Sequence, residues 1–270
     1  MAVLGPRWRR GLAHPLGAHV GARPPLLPAA RRMPTTPWQA RDAFLVLGAG
    51  LLFLSLALIV TLGFAQLQAI DTHATGPRAV ISTLVSIGFL LFSLAMIWLL
   101  IMQRYRSTWD ALGLRNVSWQ WFAAVPLIFA FLIFTDVLVL RTMVSLFGPA
   151  ATWPAPLTTT TLDAMQQPAL EVLTILTGVV LTPIVEELLF RGVLYQALRR
   201  KHSVGNAALL SALIFALMHG SIVLFIPLTV MGIVLAFVYE RSGSLIPTML
   251  VHACNNAIIL LIVAGNYPYT

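Results

Sequence analysis

Val179-Val-Leu-Thr-Pro-Ile-Val-Glu-Glu-Leu-Leu-Phe-Arg191 sets two adjacent carboxylates, Glu186 and Glu187, inside an apolar run. An ionised carboxylate in hydrocarbon costs about 2.5–3.5 kcal/mol even on a lenient insertion scale. If the run lies in a membrane, the pair signals function. If it is a helix end emerging at the surface, the charges are ordinary. The apolar pattern resumes at Leu188, Leu189, Phe190, Val193 and Leu194, which favours the first reading.

Composition agrees. Of 270 residues, 59% are apolar and only 10% charged, against roughly 25% charged in soluble domains. Mean hydropathy is +0.87. Apolar stretches of spanning length run over about 43–66, 79–102, 119–147, 170–199, 222–239 and 245–263, with a shorter one over 206–219. The expected fold is all-α: a polytopic membrane helix bundle of about seven transmembrane helices, with the active-site helices in the C-terminal half. The expected division is a disordered basic tail over 1–42, N-terminal transmembrane helices over 43–160 and a catalytic bundle over 161–270. At ~1.5 Å rise per residue the stretch ending at His219 is too short to span fully. Gly220 is expected to end it deep in the protein, where a polar residue must find partners.

The net charge of +8 is unevenly spread. Arg7, Arg9, Arg10, Arg23, Arg31 and Arg32 precede the first span without an acidic residue to offset them. With no aromatic series beyond Trp8 and Trp38, this is a solvated basic tail and not a nucleic-acid site. It lacks the apolar region of a secretory signal and the serines of a transit peptide. Met33 opens a chain that would be complete without it, so the tail is expected to be a dispensable extension or a misassigned start. Arg104, Arg106, Arg115, Arg199, Arg200, Lys201 and Arg241 all fall between alternate spans, on the same side as the tail. By the positive-inside rule the N-terminus is cytoplasmic and the C-terminus outside, in a cell (inner or plasma) membrane. The expected partners are the bilayer and a peptide or protein substrate, with no nucleic acid. The single Cys254 allows no internal disulfide and reads as a small packing residue.

Three short patterns place polar groups in the apolar C-terminal half. In Glu-Glu-Leu-Leu-Phe-Arg, Glu187 and Arg191 are i and i+4 on a helix and can pair. Glu186 is offset by ~100° and is left free for a cavity. Phe215 and His219 are again i and i+4, so the ring can limit the imidazole's rotamers. His252 and Asn256 repeat the spacing, and Asn offers both donor and acceptor. Taken singly, each His could be a satisfied core residue or an interhelical hydrogen bond. Together they supply a general base with His support and donors for a developing oxyanion, the equipment for peptide hydrolysis. Glu186, His219 and His252 could instead ligate zinc with one open position, although no H-E-x-x-H is present. Asp136, with Arg141 five residues on, reads as an internal polar contact, with a site role behind it. Glu171 suits the start of a helix.

E-E-x-x-x-R, F-x-x-x-H and H-x-x-x-N, in this order on apolar segments, closely resemble the CPBP family. This is the CAAX-protease and bacteriocin-processing group of intramembrane proteases, also called Abi. The resemblance covers about Leu170 to Leu260. It implies that Glu186 activates water, that His219 assists, and that His252 and Asn256 support the water or the oxyanion. Glu187, Arg191 and Phe215 complete the motifs. Family members are described as glutamate-dependent, so no cofactor is expected, although older labels call them metalloproteases and leave zinc open. Sixteen Arg to one Lys hint at a bacterial, high-GC source, which argues against a prenylated substrate. The expected activity is intramembrane endopeptidase, with a cavity open towards the cytoplasm. The rivals are a non-catalytic scaffold or immunity protein of the same family and an ion-coupled transporter. The transporter is disfavoured because no repeated halves are visible.

Overall fold

The computed structural model describes residues 36–67, 75–148, 164 and 168–265. The expected tail up to residue 35, residues 68–74, 149–163 and 165–167 and the last five residues lie outside them. The described residues form helices and no strands. Helix α1 spans Ala40–Leu67. Helix α2 spans Thr75–Ile97 and continues as a π-helical turn over Trp98–Gln103. A short α3, Trp109–Leu112, precedes α4, Trp119–Phe147. Helix α5 runs on through five segments: Pro168–Ile175, a π-helical Leu176–Leu181, Thr182–Glu187, a second π-helical Leu188–Tyr195, and Gln196–Arg199. Then come α6 (Val204–Met218), α7 (Ile222–Ser242) and α8 (Ile246–Gly265).

Every expected apolar stretch is helical. Five of the helices, α1, α2, α4, α5 and α7, are long and apolar enough to cross a membrane, while α6 and the described part of α8 are shorter apolar helices. This multi-pass arrangement explains why large apolar side chains are turned outward, as Leu52, Ile59 and Val60 are on α1. In hydrocarbon such faces carry no penalty. Cys254 is also exposed and does not pack internally as expected.

Local chemistry sets the helix ends. Ser203 and Ser221 cap α6 and α7 by accepting from the backbone N–H of Asn206 and Leu224, both at 3.3 Å. Such caps satisfy an otherwise orphaned donor. Gly220, at φ +62°, ends α6 as expected. Glu171 lies in the first turn of α5, where the helix dipole favours an acid.

Helices α6 and α7 approach closely because Gly232 meets Ala212. A Cβ on Gly232 would lie 2.6 Å from the Ala212 Cβ. Small residues of this kind let apolar helices pack where lipid provides no hydrophobic drive.

The end of the bundle bearing the basic residues is held by polar contacts. The Trp38 indole donates to the Val193 carbonyl at 3.0 Å. Arg200 donates to the carbonyls of Thr36, Pro37 and Trp38. Tyr239 donates to Leu112 O at 3.0 Å and Ser244 to Arg115 O at 2.7 Å. The Tyr105 hydroxyl donates to Asp42 at 2.7 Å, which holds its pKa above the ordinary tyrosine value. Trp38 is fully buried and α1 begins at Ala40. Ordered structure therefore starts several residues inside the stretch expected to be a disordered tail over 1–42. Residues 36–42, the stretch from Arg104 to Arg115, Arg200 and the turn just after α7 thus meet at one end of the described structure.

Candidate active site

Glu186 and Glu187 end an α-helical segment, and the backbone widens into π-helix from Leu188. A π-helical segment inside a long helix is often found at functional sites. The two carboxylates diverge as expected. Glu187 is fully buried. Its Oε1 accepts from Arg191 Nη1 at 2.8 Å and from His252 Nδ1 at 3.0 Å. Arg191 is also buried, donates to the Gly232 carbonyl at 3.3 Å, and lies 4.8 Å from the Phe215 ring centroid. The close approach at Gly232 thus serves the ion pair too, by bringing a carbonyl within reach of the guanidinium.

Glu186 faces the other way, into a cavity of about 610 Å³. His219 Nε2 is 4.0 Å from its Oε1, and His252 Nε2 is 3.6 Å from its Oε2. Glu186 is 17% exposed and His219 27%, whereas His252 is 2% exposed. Glu186 Oε2 is buried with no hydrogen-bond partner among the described residues. Phe215 packs edge-on against His219, with centroids 4.6 Å apart, and its carbonyl lies 2.8 Å from His219 Nδ1. Asn256 lines the same cavity and donates to the Gly178 carbonyl at 2.9 Å. Gly178 sits in the first π-helical segment of α5.

All seven residues named from the motifs are therefore brought together. Glu186, His219, His252 and Asn256 reach the cavity, and Glu187, Arg191 and Phe215 stand behind them. His252 is the hinge of the arrangement: Nδ1 meets Glu187 and Nε2 faces Glu186. The ring tautomers follow from the partners. A carbonyl only accepts, so His219 Nδ1 carries a hydrogen. Glu187 Oε1 already accepts from Arg191, so His252 Nδ1 donates as well. In the neutral rings both Nε2 atoms then present lone pairs towards Glu186.

Glu186, His219 and His252 offer donor types that suit zinc. Among the described residues, however, no group of three His, Cys, Asp or Glu side chains is arranged to hold a metal ion.

Two cavity residues were not assigned to the site from sequence. Asn255 is 3% exposed, and its Oδ1 lacks a hydrogen-bond partner among the described residues. Asp136 also lines the cavity and makes no ion pair with Arg141, which points out of the protein. The expected internal contact between these two is absent. The lining comes from the early parts of α2 and α7, the later part of α4 and the middle of α5 and α8. None of these lining residues belongs to the contacts that hold the basic end.

Residues 168–258 match the family described as Type II CAAX prenyl endopeptidase Rce1-like. The chain is also similar to "Putative membrane peptidase YdiL" of Bacillus subtilis (strain 168), at 29% identity over 89 residues. That alignment covers 33% of this chain and 36% of the relative, so the chain matches about a third of the length of that curated protein. No solved structure matches. The family match falls on the segment that carries the three motifs, and the two matches together support its kinship with the CPBP proteases.

Proposed function

We propose that the chain is an intramembrane endopeptidase that hydrolyses a peptide bond in a membrane-associated substrate, with Glu186 as the water-activating carboxylate. The kinship of residues 168–258 with CPBP proteases is the premise. The observation that carries the reading is the convergence of His219 Nε2 and His252 Nε2 on the Glu186 carboxylate in a cavity wall.

The chemistry follows from counting hydrogens. Two neutral imidazoles and a carboxylate are three acceptors around one place. A water molecule has two hydrogens and satisfies two of them. One further proton, on Glu186 or on a ring, completes the set. A general acid–base works by exchanging such a shared proton with the reacting groups. Glu186 takes a proton from water as its oxygen forms a bond to the peptide carbonyl carbon. The carbonyl π electrons move onto oxygen. The second amide hydrogen of Asn256 and a protonated imidazole donate to that oxyanion. Glu186 then returns its proton to the amide nitrogen as the C–N bond breaks. Glu187 and Arg191 hold His252 in position and take no proton.

The reading is metal-independent. It places the N-terminus in the cytoplasm of a plasma or inner membrane, since the basic end then obeys the positive-inside rule. A prenyl group on the substrate is not required.

The test is cleavage of a library of membrane-inserting peptides by purified protein. Glu186→Gln and His219→Ala should each abolish cleavage while the variants stay monodisperse and melt as the wild type does. Full activity in both would overturn the assignment. A wild type that cleaves nothing, yet binds a membrane partner equally well as Glu186→Gln, would identify a non-catalytic scaffold.

A further inference from the structure

The cavity beside Glu186 contains acceptors that the hydrolytic reading does not use. Asp136 on α4 lies on a stripe with Val139, Leu140 and Met143, all of which face the cavity. The stripe is otherwise apolar, and Asp136 has no ion pair or hydrogen bond among the described residues. Helix α4 packs against α7 and α8. Helix α8 brings the buried Asn255, whose Oδ1 also lacks a partner among the described residues, to the same cavity. The hydroxyls of Ser82 and Ser86, on the α2 wall, donate to carbonyls of their own helix, at 3.0 and 2.8 Å. They are not free to serve Asp136.

A carboxylate at membrane depth is costly unless it meets a partner. Arg191, the buried cation of α5, is committed to Glu187 and Gly232. The acceptors on this wall thus need donors that the described residues do not supply.

We propose that Asp136, assisted by Asn255, is the specificity subsite for a basic side chain of the substrate. Its ligand is a Lys ammonium or Arg guanidinium carried by an otherwise apolar peptide segment. The aliphatic stem of such a side chain matches Val139, Leu140 and Met143, and its charged head reaches the carboxylate. This inference rests on the endopeptidase reading and adds a preference to it. The subsite selects and positions the peptide. It takes no part in proton transfer at the scissile bond.

The experiment uses full-length protein in lipid nanodiscs and pairs of membrane-inserting peptides that differ only in Lys against Met, with the Lys moved stepwise along the peptide. Wild type should prefer one Lys register by at least about tenfold in kcat/KM, because leaving a buried charge without its partner is worth at least that much. Asp136→Asn should remove the preference, lowering kcat/KM for the Lys peptide and leaving the Met peptide unchanged. Asp136→Glu keeps the charge and should restore it in part. Equal loss on both peptides, or no loss on either, would overturn the proposal.

Binding of the same pair to Glu186→Gln separates the two readings. Selective binding of the Lys peptide by that variant, lost on adding Asp136→Asn, supports the subsite even if Glu186 proves dispensable for cleavage. Equal binding of both peptides rejects the subsite whatever the role of Glu186.

Discussion

Glu187 and Glu186 are neighbours in sequence, yet the two walls they belong to are built on opposite rules. The Glu187 wall is closed at Oε1, which accepts from Arg191 and His252, and Arg191 donates on to the Gly232 carbonyl. The Glu186 wall is open: its nearest cationic or polar neighbours stand at 3.6 and 4.0 Å, beyond a direct hydrogen bond. A closed wall fixes geometry and resists change. An open wall leaves room for a water and for a reacting carbonyl. The difference shows how a membrane protein can hold two carboxylates in hydrocarbon, one balanced internally and the other turned to a cavity.

The contrast can be broken at either wall. The largest effect is expected from Glu186→Gln, which should cut cleavage by about 10²–10⁴, the usual worth of a general base, with an unchanged melting temperature. Glu187→Ala should do the reverse in character. It strands the buried Arg191 and should lower stability by about 3–5 kcal/mol, measured by denaturation in mixed detergent. A stable Glu187→Ala protein would mean that the wall is not closed. Gly232→Ala forces a Cβ against Ala212 and should cost about 1–3 kcal/mol, as overpacking does, while weakening activity through the displaced Arg191. Asn256→Ala removes the hydrogen bond to Gly178. It should cost only about 1 kcal/mol of stability, with a kcat loss larger than any change in KM. The smallest effect is expected from chelators, which should leave the activity unchanged, with no stoichiometric zinc in purified protein.

The sequence carried the helices well because hydropathy alone identifies a membrane span. The ends of α4, Trp119 and Phe147, match the expected stretch. Glu187 and Arg191 were readable because i,i+4 pairing is local. The link from His252 to Glu187 was not, since it joins residues 65 apart and depends on how α8 is rotated against α5. Nor were the π-helical segments, which no residue pattern here announces. Trp38 was misjudged for a related reason. Proline, threonine and arginine around it read as a tail, whereas burial of the indole in the core, the carbonyl of Val193 and the guanidinium of Arg200 give that stretch a fixed place. Asp136 drew attention as a buried acid, but its true neighbours lie on other helices. Arg141, close in sequence, turned out to be irrelevant to it.

The Trp38 contact spans 155 residues of chain. Chains are made from the N-terminus, and their parts fold as they emerge. Helix α1 therefore enters the bilayer long before Val193 and Arg200 exist, and its first residues wait unanchored through the synthesis of α2, α4 and most of α5. The act that pins the start of α1 is also the act that brings in the helix bearing both glutamates. The contact that pins α1 is thus available once α5 is made, whereas His219, His252 and Asn256 follow with α6 and α8, so the candidate site is completed only when the last helix packs.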